Sequence, residues 1–265
     1  MPKAKLQSNF EMHYEIVENA MDLDTLFIHG NVASNTWFYP AAELFKSEGH
    51  KKGRMIMAEW RGCGKSSAPA SEAELNPRVL AQDYIDLCSQ LEIKKANMVS
   101  HSTGGIISLL AMSMRPELFV KSFLLDPVGP TGVKFSEAHL EAFTAMSKDR
   151  AFCELVMAGT IQGVDTSSSI FQKIVDDTFH CAPQIWHGVP HALQNLDVTA
   201  EMKKVTQPVL IVHGESDPVL PIEASRELAK TLPNARFFEA KGHGHSLNLE
   251  NPKLFVQLVN EFFKS

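Results

Sequence analysis

Residues 98–109 read Met98-Val99-Ser100-His101-Ser102-Thr103-Gly104-Gly105-Ile106-Ile107-Ser108-Leu109, and the fold follows from them. Apolar residues up to Ser100 predict a buried strand, and the apolar run towards Arg115-Pro116 predicts a helix. The turn between them has the pattern S-x-S-x-G, with only small residues two places before and after Ser102. So tight a strand-to-helix turn lifts the Ser102 hydroxyl clear of the sheet. The helix start leaves the Thr103 N–H without an intrahelical acceptor, free to meet a negatively charged oxygen. Ser102 is therefore a candidate nucleophile and Thr103 a candidate oxyanion donor. Taken alone, the same pattern also suits a plain βα turn.

Around this stretch, short apolar runs alternate with amphipathic ones, the pattern of βαβ units in a mainly parallel sheet. Strands are predicted over Thr25–His29, Arg54–Glu59, Asn97–Ser100, Ser122–Asp126, Val209–His213 and Arg236–Glu239. Phe10–Val17 alternates more and predicts an antiparallel edge strand. Asn76 and Pro77 open a helix whose buried stripe is Leu80, Tyr84, Leu87 and Leu91. A last helix after Pro252 puts Leu254, Phe255, Leu258, Val259 and Phe262 on one face. Between Asp126 and Pro208 no strand is legible and several short helices are, so this interval is expected to form a helical cap (residues 127–207) on a core of residues 1–126 and 208–265. Its Met, Phe and Leu side chains (Phe143, Met146, Phe152, Leu155, Met157, Ile161, Phe171, Trp186) are expected mostly to pack the cap itself, with a minority lining a cavity.

Three further segments carry polar residues to strand ends. His29-Gly30-Asn31 follows an apolar strand, and the Asn31 N–H is the candidate second oxyanion donor. Val209-Leu-Ile-Val-His-Gly214 ends a strand and presents Asp217 three residues on, where a carboxylate can hold a histidine in one tautomer. Gly242-His243-Gly244-His245 then offers two candidate bases, either able to swing on its glycines. The order Ser…Asp…His is the one used by hydrolases built on such a sheet. Asp126 stands as a reserve acid and His101 as a packing or pocket residue. His180, Cys181, His187 and His191 are not expected to bind a metal, because Pro190 should interrupt the helical spacing between the last two histidines.

In total the 265 residues carry 25 Lys and Arg against 31 Asp and Glu, a net charge of −6. That balance offers no reason to expect nucleic acid or an anionic membrane as a partner. No apolar run reaches the roughly 18–20 residues of a membrane span, and the N-terminus lacks a signal peptide's apolar stretch, so a soluble cytoplasmic protein is the expectation. Cys63, Cys88, Cys153 and Cys181 show no paired spacing and read as buried free thiols.

With these motifs in place, the whole chain resembles the α/β-hydrolase superfamily through HGN (29–31), EWRGCGKS (59–66), SHSTGG (100–105), HGESDPVLP (213–221) and GHSLNLENP (244–252). It departs in Ser100, where the family usually has Gly, and in Glu59, where it usually has Asp. The resemblance selects His245 over His243, by register against Glu250 and Pro252. It implies an α/β fold with a mostly parallel eight-stranded sheet, helices on both faces, and a helical cap inserted after the sixth strand. It further implies acyl transfer to water: Ser102 as nucleophile, His245 as base, Asp217 orienting the histidine, and no metal or organic cofactor. A serine nucleophile speaks against the aspartate-dependent dehalogenases and epoxide hydrolases of this fold. A serine hydrolase acting on a small, largely apolar ester is the leading expectation. A lactonase, including one opening acyl-homoserine lactones, a carbon–carbon bond hydrolase and a slow, receptor-like ligand-binding protein remain alternatives. A monomer and a homodimer are both compatible with the sequence.

Overall fold

In strand β4 (Gly53–Ala58), Met55 and Met57 point to one side of the sheet while Ile56 and Ala58 point to the other, and all four are buried. A period of two with both faces apolar is what a strand covered on both sides requires. The same division runs through β3 (Thr25–Ile28), β5 (Ala96–His101) and β7 (Val209–Gly214): Leu26, Met98 and Ile211 join one core, Phe27, Val99 and Leu210 the other. The computed structural model describes residues 2–47 and 51–265.

With β1 (Lys3–Lys5), β2 (Glu11–Met21), β6 (Phe119–Leu125) and β8 (Ala235–Ala240), these strands form one eight-stranded sheet in the order β1-β2-β4-β3-β5-β6-β7-β8. The pairs β1–β2 and β2–β4 are antiparallel and all others parallel. β2 was expected at the edge. It lies one strand in, because the three-residue β1 pairs along its outer side, and a strand that short carries no readable periodicity.

Helices α1 (Tyr39–Ser47), α2 (Pro77–Gln90) and α3 (Thr103–Met114) follow β3, β4 and β5. Asn76 caps α2 as expected, its side chain accepting from the Arg78 N–H at 2.9 Å. Between β6 and β7 come α4 (Glu137–Met146), α5 (Arg150–Thr160), α6 (Ser169–Phe179), α7 (Ile185–Gln194) and the short α8 (Thr199–Met202), with no strand among them. The chain ends with α9 (Ile222–Thr231), the one-turn α10 (Leu247–Glu250) and α11 (Pro252–Lys264). Phe255, Val259 and Phe262 of α11 pack with Phe45 of α1 in the second core, each large side chain contributing about 1.5–3 kcal/mol by leaving water.

Two local expectations change. α7 runs through Pro190, so His187 and His191 do share a helix four residues apart. Burial of Trp186, Val189, Pro190 and Leu193 on that helix outweighs the one backbone hydrogen bond the proline removes. Leu155, expected inside the cap, is 67 % exposed. All four cysteines are buried and unpaired. Among the described residues, no helix is long and apolar enough to cross a membrane.

Candidate active site

β3 and β5 are neighbours, although β4 lies between them in sequence. The loops leaving their C-terminal ends therefore part, opening the crevice where ligands of such sheets bind. Ser102 stands there, between β5 and α3, at φ 54° and ψ −123°. A non-glycine residue in that region carries about 1–3 kcal/mol of strain, tolerated only where the surroundings over-determine it. They do so here. A Cβ on Gly104 would come 2.4 Å from the Ile28 carbonyl oxygen, so only glycine lets α3 start this close to β3. A Cβ on Gly30 would lie 3.0 Å from the Ser102 Cβ, which shows how closely the β3 loop approaches Ser102. Ser100 is accommodated by a row of buried hydroxyls: its Oγ lies 3.2 Å from that of Ser108, which lies 3.2 Å from that of Ser122.

His245 and Ser102 line the same cavity. The His245 Nδ1 lies 2.7 Å from Asp217 Oδ2, and the two side chains are 6 % and 1 % exposed. Asp217 Oδ1 accepts the N–H groups of Val219 at 2.7 Å and Leu220 at 3.1 Å. Burial alone would raise the Asp217 pKa, but these donors and His245 hold it below the usual carboxylate value. The carboxylate therefore stays charged and keeps His245 in the tautomer protonated on Nδ1, with Nε2 free as an acceptor. His243, the competing base, turns away and does not line the cavity, its Nδ1 lying 2.8 Å from the Lys241 carbonyl.

Asp126 lies close to this pair without joining it. Its Oδ1 accepts the Gly214 N–H at 2.7 Å, and among the described residues its buried Oδ2 has no hydrogen-bond partner. Burial, reinforced by the charge on Asp217, pushes its pKa well above the ordinary value. A carboxyl whose charged form is disfavoured in this way is poorly suited to stabilise an imidazolium as Asp217 can.

Asn31 lines the cavity beside Ser102 and Thr103 opens α3 directly after it, and among the described residues neither backbone N–H has an acceptor. Val32 adopts φ 47°, a left-handed conformation that costs a β-branched residue about 1–2 kcal/mol. His101 is packed between Trp37, stacked at 5.2 Å, and the His245 ring at 4.8 Å, with its Nε2 2.8 Å from the His245 carbonyl oxygen. Burial lowers its pKa to about 3, so its ring is neutral and ties the His245 loop to the Ser102 strand.

The cavity holds about 530 Å³. Its lining includes Ser102, His245, Asn31 and Trp37, together with Phe143 and Met146 from α4 and Val156 and Met157 from α5. Of the apolar residues singled out from sequence between 127 and 207, Phe143, Met146 and Met157 reach it.

Residues 25–258 match the sequence profile of the Alpha/beta hydrolase family. The chain belongs to this family. The uncharacterized hydrolase YugF of Bacillus subtilis (strain 168) is 30 % identical over 201 residues, covering 70 % of this chain and 71 % of that protein. An esterase, EaEST, from Exiguobacterium antarcticum superposes with a TM-score of 0.88 at 19 % identity, covering 99 % of each chain. The enol-lactonase from Burkholderia xenovorans LB400 superposes with a TM-score of 0.86 at 19 % identity, covering 100 % of each. At such identity the structural likeness speaks for the fold.

The structure adds contacts that motif reading of this alpha/beta hydrolase does not give. Glu250 served to set the register of the histidine motif. In the fold its carboxylate accepts the N–H groups of Gly244 at 2.7 Å and Ser246 at 3.2 Å, bracketing His245, and that of Gln162 at 3.0 Å. Glu59, where the family usually has Asp, accepts the N–H groups of Lys65 at 2.7 Å and Asn35 at 3.3 Å, using its longer reach to bridge two loops. Asp177 and Thr178, on α6, bond to the loop after β3. No local signal marks them, because their partners lie more than a hundred residues away in the chain.

Proposed function

We propose that this protein is a serine hydrolase that cleaves a carboxylic ester of a small, largely apolar substrate through an acyl-enzyme. One observation carries the reading: a serine at a strained strand-to-helix apex faces an apolar cavity of about 530 Å³ together with His245, whose Nδ1 is bonded to Asp217.

The chemistry follows from the geometry. Ser102 Oγ attacks the ester carbonyl carbon while its proton passes to His245 Nε2. The carbonyl oxygen becomes an oxyanion held by the Asn31 and Thr103 N–H groups. Collapse breaks the carbon–oxygen bond, and the departing alkoxide takes the proton from His245. A water then attacks the acyl carbon, giving its proton to the same nitrogen, and Ser102 leaves with that proton restored. Residues 127–207 act in this reading as a cap whose Phe143, Met146, Val156 and Met157 surround the acyl group. The cavity is mostly apolar, which favours acyl chains of short to medium length over charged ones.

Purified protein should turn over p-nitrophenyl esters with an optimum at one acyl length, and Ser102→Ala should abolish the activity by at least about a thousandfold. Lactones assayed alongside decide between a linear and a cyclic ester. Equal activity in the mutant, or none in the intact protein towards either class, refutes the proposal.

A further inference from the structure

The loop after β3 carries the Asn31 donor, and its own side chains hold it only in part. Val32 sits at φ 47°, and valine left to itself prefers negative φ. Three contacts from outside hold the turn. Thr178 Oγ1, fully buried on α6, donates to the Val32 carbonyl at 2.7 Å. The neighbouring Asp177 Oδ2 accepts from Ser34 Oγ at 2.7 Å and from Thr36 Oγ1 at 2.5 Å. Lys173 Nζ, one turn earlier on α6, lies 3.0 Å from Asp177 Oδ1 and fixes that carboxylate. Within the loop, Asn31 Oδ1 accepts the Val32 N–H at 3.0 Å and Ser34 Oγ accepts the Thr36 N–H at 3.2 Å.

We propose that Thr178 and Asp177 are positioning residues for the oxyanion donor: α6 holds Val32 in its left-handed turn and thereby aims the Asn31 N–H at the carbonyl oxygen bound to Ser102. Released from Thr178, Val32 returns to negative φ, the Asn31–Val32 peptide rotates, and the shift passes through the Asn31 Cα to the Gly30–Asn31 peptide that carries the donor. An oxyanion donor must lie within about 2.7–3.1 Å of the developing charge, and a misplacement of 1 Å costs on the order of a hundredfold in rate. The side chains of α6 thus act from outside the cavity lining: the donor is aimed only while α6 is docked on the loop.

The inference rests on the serine-hydrolase reading, and the test separates the two. Wild type, Thr178→Val, Thr178→Ser and Val32→Gly, alone and combined with Thr178→Val, are compared by three measurements. These are labelling of Ser102 by a fluorophosphonate, kcat and KM for the best p-nitrophenyl ester, and inhibition by an alkylboronic acid, whose tetrahedral adduct on Ser102 presents an oxygen to the same donors. Thr178→Val is expected to lower kcat about ten- to a hundredfold with KM within about twofold, and to weaken boronate inhibition by a similar factor. Thr178→Ser, which keeps the hydroxyl, restores both. In the Val32→Gly background the penalty of Thr178→Val shrinks below about threefold, because glycine reaches the positive φ without the steric cost that drives valine out of it; a role confined to stability would not show that coupling. Where Thr178→Val lacks native circular dichroism, Thr178→Ala takes its place with the same expectations. Wild-type turnover with an unchanged kcat in the Thr178 variant, a change in KM alone, or a full penalty in the Val32→Gly background overturns the positioning role only. A wild type that neither labels nor turns over overturns the hydrolase reading and the inference with it.

Discussion

Acidification tests whether His101 is the buried, neutral tie between the Ser102 strand and the His245 loop. Burial brings its pKa from 6.5 to about 3. Between those values the unfolded chain binds a proton that the folded protein refuses, so stability falls as the pH falls. The loss begins near pH 6.5 and ends near the folded value. Its slope is roughly 1.4 kcal/mol per pH unit, so the two units from pH 6.5 to 4.5 remove about 3 kcal/mol. That is a large share of the roughly 5–15 kcal/mol typical of a folded protein. His29, whose pKa burial also lowers to about 3, adds a loss of the same sign. Asp126 opposes both, because a raised carboxyl pKa makes the folded state the better proton acceptor. A difference measurement isolates His101. Gln at that position keeps an N–H donor for the His245 carbonyl and has nothing to titrate. Urea unfolding of wild type and His101→Gln, followed by fluorescence from pH 7.5 to 4.5, should give curves that converge as the pH falls, with wild type losing about 3 kcal/mol more. Parallel curves would refute the claim that a neutral His101 is held inside the fold.

Three further outcomes follow from the site. Asp217→Asn should lower kcat by about a thousand- to ten-thousandfold, because an amide no longer enforces the His245 tautomer; His243→Gln should stay within about twofold in the same ester assay. Gly104→Ala should destabilise the fold by about 3 kcal/mol in chemical denaturation, since its Cβ would meet the Ile28 carbonyl at 2.4 Å.

The outer strand β1 and the helix that continues through Pro190 both depart from what their local sequence implies, and for one cause: each is decided by packing from elsewhere in the chain. Neither a three-residue segment nor a proline within a helix reports its tertiary neighbours. The same holds for Leu155, whose apolar character predicts burial although its position on α5 faces outwards.

What the sequence determines by itself is local. Apolar runs bounded by turn residues specify β3 to β7, Asn76-Pro77 starts α2, and the small residues around Ser102 permit the sharp turn, because each depends on neighbours within a few positions. The order of Ser102, Asp217 and His245 is likewise legible in the chain. Local context alone does not separate His245 from His243, which share glycine flanks, nor Asp217 from Asp126, which also follows a strand. Only the tertiary structure brings His245 to Asp217 and buries Asp126 beside them, where burial disfavours its charged form. It also sets Thr178 against Val32 across 146 residues of chain. Such pairings arise from how separate elements pack, and short-range sequence patterns hold no record of which distant side chain completes a buried hydrogen bond.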